Sequence, residues 1–386
     1  MEDVNALAQE RTQLFKDLYR GKVPKRIPIG IKIFREFALQ YAGMDVVEGQ
    51  WNPALLEEAF DKLCRDFVSD QNPAGGVNRF ISYYKMLGSR TIEMSSNGFL
   101  QHPEVHGLEP DEYDEFIASP FDCMVETILP RLYNNLNTDS SQKAAVMSKA
   151  MKTYYDEFSN LGAMIMRLNQ KYGYATSPPN SMAFSAAPFD FVSDFIRGFT
   201  GISVDIKRYP EKVVEACEAV TPIMVKMGTP ANPSIDGQTT FPLHMAPFLK
   251  EKEFEKFYWP TFKKVIESLV EKGQGVFLFI EHDWTRFLDY LKDLPDNLRL
   301  RFEYGDPREI KDKLGDKHIL TGLYPISILK TGTREECVDK AKELIDIMAP
   351  GGKYYFDFDK PPITLSSINP ENLKAVLDYV YNCNYY

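Results

Sequence analysis

The sequence predicts an α/β fold built on a parallel sheet and carried by one domain. Three observations predict it. Strand-like and helical segments alternate through the second half, no linker or internal repeat interrupts the chain, and the composition is that of an ordinary globular protein, 44% hydrophobic and 26% charged. The 386 residues exceed the roughly 100–200 of a typical domain, but α/β barrels reach this length as one unit.

Element by element, residues 10–19 have helical spacing and stop at Gly21. Residues 23–30 are extended, and Pro28 predicts an edge or lead-in piece rather than a central strand. Residues 53–67 place Leu55, Leu56, Ala59, Phe60, Leu63, Cys64 and Phe67 on one helical face. The stretch 75–120 is broken by Gly and Pro and predicts hairpins and loops. A long helix is expected over 142–172. Then come helix 253–272 ending at Gly273, the apolar strand 275–280, helix 284–292, strand 298–302, helix 307–314, strand 318–323, helix 333–348, strand 353–358 and a closing helix 370–381. An open doubly wound sheet is the alternative to a closed barrel, but it would carry a Gly-rich phosphate loop after a strand. Ala349-Pro350-Gly351-Gly352 precedes a strand instead and reads as a turn.

A net charge of -10, from 55 acidic and 45 basic side chains, with no basic block interleaved with aromatics, argues against nucleic acid. The five cysteines, Cys64, Cys123, Cys217, Cys337 and Cys383, are scattered and never form a CxxC pair, which predicts reduced thiols rather than disulfides or a thiolate metal site. No leader-like start or membrane-length apolar run is present, so a cytoplasmic protein, with no membrane partner, is expected.

Several segments then resemble one family in the right order. They are Tyr19 to Pro28, Ala187-Pro188-Phe189-Asp190 with Tyr209-Pro210-Glu211, Ala246-Pro247-Phe248-Leu249 leading to Phe254, Phe257 and Pro260, Gly322-Leu323-Tyr324-Pro325 through Glu336, and Ala349 to Tyr354. Together they resemble the uroporphyrinogen decarboxylase superfamily. The resemblance implies a single (β/α)8 TIM barrel over 1–386, with an N-terminal extension over 1–50, a decorated first half over 75–180 and a regular second half over 230–386. Its active site would lie at the C-terminal strand ends. The superfamily holds decarboxylases and zinc-dependent methyltransferases that work with corrinoid proteins, so fold alone does not choose the chemistry.

The decarboxylase pattern is poorly kept. Asp70 matches the family's central aspartate, but Asp194 stands at the tyrosine position, His244 at the serine position and Lys360 at the late histidine position, and residues 29–36, the stretch that resembles the family's arginine-rich segment, have one arginine, Arg35, beside Glu36. The cysteines of the methyltransferase pattern are replaced by Glu281 and Lys360. Zinc accepts imidazole and carboxylate as well as thiolate, and superfamily members that cleave aryl methyl ethers bind zinc through Glu and His. The resemblance therefore implies a methyltransferase that moves a methyl group from a small methylated donor, a methoxylated aromatic above all, to a corrinoid carried by a partner protein. His244 and Glu281 would hold zinc, with Glu303 or Asp359 as third ligand. His282 would be a ligand or general acid, Asp70 and Lys360 further catalytic groups, and Asp194, Asp283, Trp284, Tyr304 and Tyr324 a substrate pocket.

Plainer readings stand beside these. Asp283 would cap the helix starting at Trp284, and His244 would be a hydrogen-bonded core histidine. His102 and His106 read as loop residues and His318 as structural. A metal-independent decarboxylase using Asp70 and Lys360, and a non-catalytic barrel binding a tetrapyrrole or a partner, are the other functional classes. Either a monomer or a homodimer suits the sequence. The chemistry requires Glu281, Glu303 and the Asp357/Asp359 pair to converge on one rim.

Overall fold

A computed structural model describes residues 3–74, 79–383 and 385. The N-terminal helix Val4–Tyr19, capped by the Asp3 carboxylate on Asn5 N, turns Phe15, Leu18 and Tyr19 against Ile319 and Tyr355. These residues plug the lower end of a barrel. The Arg299 guanidinium lies 3.4 Å over the Tyr19 ring and donates to Gly237 O, completing the floor.

A short antiparallel hairpin, β1 (Glu93–Met94) with β2 (Leu100–Gln101), decorates the first half. The barrel wall contains β3 (Met182–Phe184), β4 (Gln238–Leu243), β5 (Val276–Ile280), β6 (Arg299–Phe302) and β7 (Ile319–Gly322), all parallel and adjacent in chain order. Parallel bridges Leu320–Tyr354 and Tyr324–Phe358 add the extended segment 354–358, and Ile29–Phe356 adds the segment around Ile29. Asp70 N donates to Ile29 O, and Ala175 N donates to Asp70 O, which carries the wall round to the segment leading into β3. Among the described residues the ring thus has eight members, the number of a (β/α)8 barrel, with the seam between the Asp70 segment and β3 bridged through Ala175.

Helices Pro210–Gly228, Trp259–Glu271, Pro307–Leu314 and Arg334–Met348 pack outside, as right-handed parallel crossovers require. Ile27, Ile29, Ile31 and Ile33 are all buried on one face of their segment, which leaves Gly30 and Lys32 to face inward. The long helix is Ser140–Tyr172, capped by Asp139 and closed by Gly173 at φ 66.

Several expectations change. Pro28 is not at an edge: its carbonyl accepts from Phe356 N, and the next donor, Ile29 N, is taken by the Asp70 carboxylate. The helix expected over 253–272 opens with a π-helical turn, Phe254–Tyr258, because Pro260 supplies no N–H to a regular turn. Residues 79–120 hold helices Ile81–Leu87 and Tyr113–Ala118 as well as the hairpin, while 75–78 of that stretch lie outside the described residues. All five cysteines are free thiols, and no helix among the described residues is long and apolar enough to cross a membrane.

Candidate active site

Alternation along the strands builds the site. Gln238, Thr240 and Pro242 of β4, Phe277 and Phe279 of β5, and Arg301 of β6 face one cavity of about 800 Å3, joined by Lys32, Tyr355 and Asp357. Register pairs Pro242 with Phe279 and Phe279 with Arg301. Two residues further on, past the C-terminal strand ends, the same faces bring His244, Glu281 and Glu303 to the rim. A π-helical turn, Val192–Arg197, widens the backbone beside them and sets Ser193, Asp194 and Phe195 along the cavity wall.

His244 is the centre of an acid–imidazole cluster. Its Nδ1 lies 2.8 Å from Glu281 Oε2, and its Nε2 lies 3.8 Å from Asp194 Oδ2. Beneath it, Asp190 accepts from Met245 N at 2.9 Å and from the Tyr258 hydroxyl at 2.8 Å. Burial alone would discharge the imidazole, but the hydrogen bond and charge of Glu281, with Asp190 and Asp194, outweigh it and hold His244 up at about 9. Burial, then the nearby Asp194, pushes the Asp190 carboxyl up to about 7, against the opposing pull of His244, Tyr258 and the Met245 N–H. Burial and Glu281 also raise Asp194, against the pull of His244. Near neutral pH the cluster therefore holds a charged imidazolium. Its Nδ1 proton is committed to Glu281, while its Nε2 proton is beyond hydrogen-bond reach of Asp194.

The opposite wall is cationic. Lys32 Nζ donates to Asn72 O at 2.8 Å, and Arg301 donates through Nε and Nη2 to Phe358 O while Nη1 sits 3.5 Å from Asp357 Oδ2. At the rim, Lys360 Nζ pairs with Glu303 Oε1 at 2.9 Å, and Glu303 Oε2 accepts from His282 N. His282 holds a left-handed backbone, φ 59, with its ring edge-on to Phe248 at 5.5 Å. A non-glycine residue in that region costs about 1–3 kcal/mol and is typical of functional turns.

The expected zinc set does not assemble. His244 and Glu281 meet, but Glu303 is committed to Lys360 and His282, and Asp359 turns away to accept from Ile326 N and Lys360 N. Among the described residues no group of three or more His, Cys, Asp and Glu side chains is placed to hold a metal ion. The residues present do not fit that ligand set. Of the carboxylates required to converge, Glu281 and Glu303 share the rim and Asp357 lines the cavity below it, whereas Asp359 is a backbone cap.

Other expected residues separate in the same way. Asp70 lies outside the cavity, fully buried, its carboxylate gripped by both Nη atoms of Arg26, by Arg11 and by Ile29 N, so it cannot work with Lys360. Trp284 is fully buried in an aromatic core with Phe254, Tyr258 and Phe287 rather than in the pocket. Tyr324 is buried and donates to Cys337 O. Tyr304 points to solvent, and Asp283 caps Thr285 N, the plainer reading. His318 is structural, its Nε2 bonded to Leu291 O. His102 lines the cavity, while His106 pairs on the surface with Glu109.

Asp190, Lys32 and Arg301 are functional groups of the cavity that the sequence pattern alone does not single out. For Arg301 a partial signal is present. Leu298-Arg299-Leu300-Arg301-Phe302 alternates cations with apolar residues in a strand, which in a barrel sends both arginines inward. Asp190 had no such pattern, since its role depends on Tyr258 and Met245, distant in sequence.

No curated protein matches the chain. A solved methyltransferase from Methanosarcina mazei superposes with a TM-score of 0.62 over 96% of this chain and 98% of that one, at 14% identity, a likeness of fold. The sequence profile of uroporphyrinogen decarboxylase (URO-D) matches residues 123–383, the region that supplies β3 to β7, His244 and Glu281. By that match, and by a barrel with its cavity at the C-terminal strand ends, the chain belongs to the uroporphyrinogen decarboxylase family.

Proposed function

We propose that this barrel is a methyltransferase that demethylates a small aryl methyl ether, with His244 as general acid. The observation that carries the reading is the clamped imidazolium of His244, Nδ1 on Glu281 and Nε2 uncommitted, at the top of a cavity walled by Phe184, Phe277 and Phe279. Phenyl walls take a flat apolar ring, and a few convergent polar groups set its orientation. An ether oxygen placed at Nε2 receives its proton as the O–CH3 bond breaks. The bonding electron pair stays on oxygen, and the methyl carbon bonds to the acceptor's nucleophile.

The proton affinities suit a phenol. An imidazolium near 9 faces a leaving phenolate whose conjugate acid titrates at about 10, so transfer is nearly balanced along the reaction. An aliphatic alkoxide would lie far above that match. Glu281 holds the ring and its charge, and Asp190 pins the turn that carries it.

A corrinoid on a separate protein would supply the nucleophile that takes the methyl group. The exposed Phe195, Phe199 and Phe248 round the cavity mouth suit a large, partly apolar macrocycle at that position. In this reading the proton of His244 takes the part that the family resemblance gives to zinc.

The test is single-turnover methyl transfer to free cob(I)alamin with a panel of methoxylated aromatics and methylamines. Transfer from aryl ethers, lost in His244→Ala, is expected. Absence of transfer from every donor, with carbon dioxide released from carboxylated ones, overturns the reading in favour of a decarboxylase.

A further inference from the structure

The cavity has a second polar region below the rim, and the proposed reaction does not use it. Lys32, Arg301 and Asp357 meet there beside Gln71, Gln238 and Tyr355. Two fixed cations face one carboxylate. Arg301 is held in place by its two bonds to Phe358 O, which leaves Nη1 directed at Asp357 across 3.5 Å, too long for a good hydrogen bond. Lys32 spends one of its three protons on Asn72 O. Asp357 in turn has one oxygen on Phe358 N.

The charge balance is unfinished. Burial pushes the Lys32 ammonium down to about 8, with Asp357 opposing that and Arg301 adding to it. Burial also pushes Asp357 up to about 6, despite Arg301 and Lys32. A chamber with this surplus of cation disfavours its own charged state until a further anion enters.

We infer that this inner chamber is a carboxylate anchor, in which Lys32 Nζ and Arg301 Nη1 take the carboxylate of an aromatic acid whose reactive substituent points to His244. Register supports the span. Arg301 lies level with Pro242 through Phe279, and His244 stands two residues higher, a rise of about 7 Å along the strands that a single aromatic ring bridges. The ring sits among the phenyl walls between the two poles. Only the role given to the upper end rests on the methyltransferase reading; the anchor itself is a binding site.

Titration calorimetry of the full chain with benzoate, which has no methyl group to transfer, tests the anchor without turnover. Benzoate is expected to bind the wild type and methoxybenzene to bind more weakly. Lys32→Met should weaken benzoate about tenfold, Lys32→Arg should restore it, and Asp357→Asn should tighten it by removing the competing anion. Opposite signs at Lys32 and Asp357 separate anchoring from loss of fold, and a thermal melt of each variant checks folding independently. Equal benzoate affinity in wild type and Lys32→Met, or no benzoate binding to a folded wild type, overturns the anchor. The two readings fail separately. If benzoate follows this pattern but no methoxylated acid yields methyl transfer, the methyltransferase reading falls and the anchor stands. If neutral aryl ethers react as fast as the acids and benzoate does not compete, the anchor falls and methyl transfer stands.

Discussion

Asp190 and Tyr258 meet in a buried 2.8 Å hydrogen bond between the phenolic hydroxyl and Oδ2, while Oδ1 of the same carboxylate holds Met245 N. One side chain thus ties the turn after β4 to the helical layer outside it. The adjacent residue, His244, inherits its aim from that tie. The Asp190 carboxylate is spent on Tyr258 and on the backbone of the turn that carries His244, which makes it a positioning residue whose effects should appear through His244.

Glu281→Gln removes both the charge and the strongest acceptor on His244 Nδ1. His244 is expected to fall from about 9 toward its ordinary value near 6.5. At pH 8 the variant would hold little imidazolium, and methyl transfer should drop about tenfold or more; below pH 6 it should approach the wild type. The pH profile of kcat, with the imidazole titration followed by NMR, checks this.

Asp190→Asn should shift the same profile in the same direction by less, because Asp190 acts on His244 across space rather than by direct contact with the ring. Km for the aromatic donor should change little. A large rise in Km with an unmoved pH profile would place Asp190 against the substrate instead.

Asp357 links stability to pH. Its folded value is raised to about 6 from an unfolded value near 3.8, so the folded state prefers the protonated form. Wild-type stability should therefore decline as pH rises from about 4 to 6 through this group, a loss on the order of a few kcal/mol. Asp357→Asn should flatten that part of the curve. His318 acts over nearly the same window with the opposite sign: burial lowers it to about 4, so its contribution is lost as pH falls from 6.5 through 4, and the wild-type curve is the sum of the two. Chemical denaturation across pH 4–8 measures both.

Asp70→Ala should cost about 3–5 kcal/mol, because it strands the buried Arg11 and the half-buried Arg26 cations. Trp284→Ala should cost about as much through an aromatic cavity beside Phe254 and Tyr258. Neither should move the His244 titration in the folded protein. A change in reaction pH profile without loss of stability would return these residues to the site.

Exhaustive dialysis against a strong zinc chelator should leave aryl-ether demethylation unchanged. A rate lost on chelation and restored by zinc would show that His244 and Glu281 recruit a further ligand when metal is bound.

The chain's own pattern was sufficient for the regular second half. Apolar runs such as Val276–Ile280 and Ile319–Gly322, separated by amphipathic helices, have few other ways to bury both faces than in a parallel sheet. Local order also placed Glu281 and Glu303 at strand ends, since side-chain direction there follows from counting by two, whereas His244 was singled out through the family resemblance. β4 was harder to read. Gln238, Thr240 and Pro242 face the substrate cavity rather than a packed core, so its inward positions lack the apolar signature and Pro242 argues against a central strand. What only tertiary structure decided was which charged group meets which. Asp70 found Arg26, Glu303 found Lys360, Asp359 found backbone N–H groups, and Lys32 and Arg301 came to share a chamber with Asp357. A carboxylate's role depends on the cation or donor within about 4 Å of it, and in a closed barrel that neighbour comes from a strand far away in sequence.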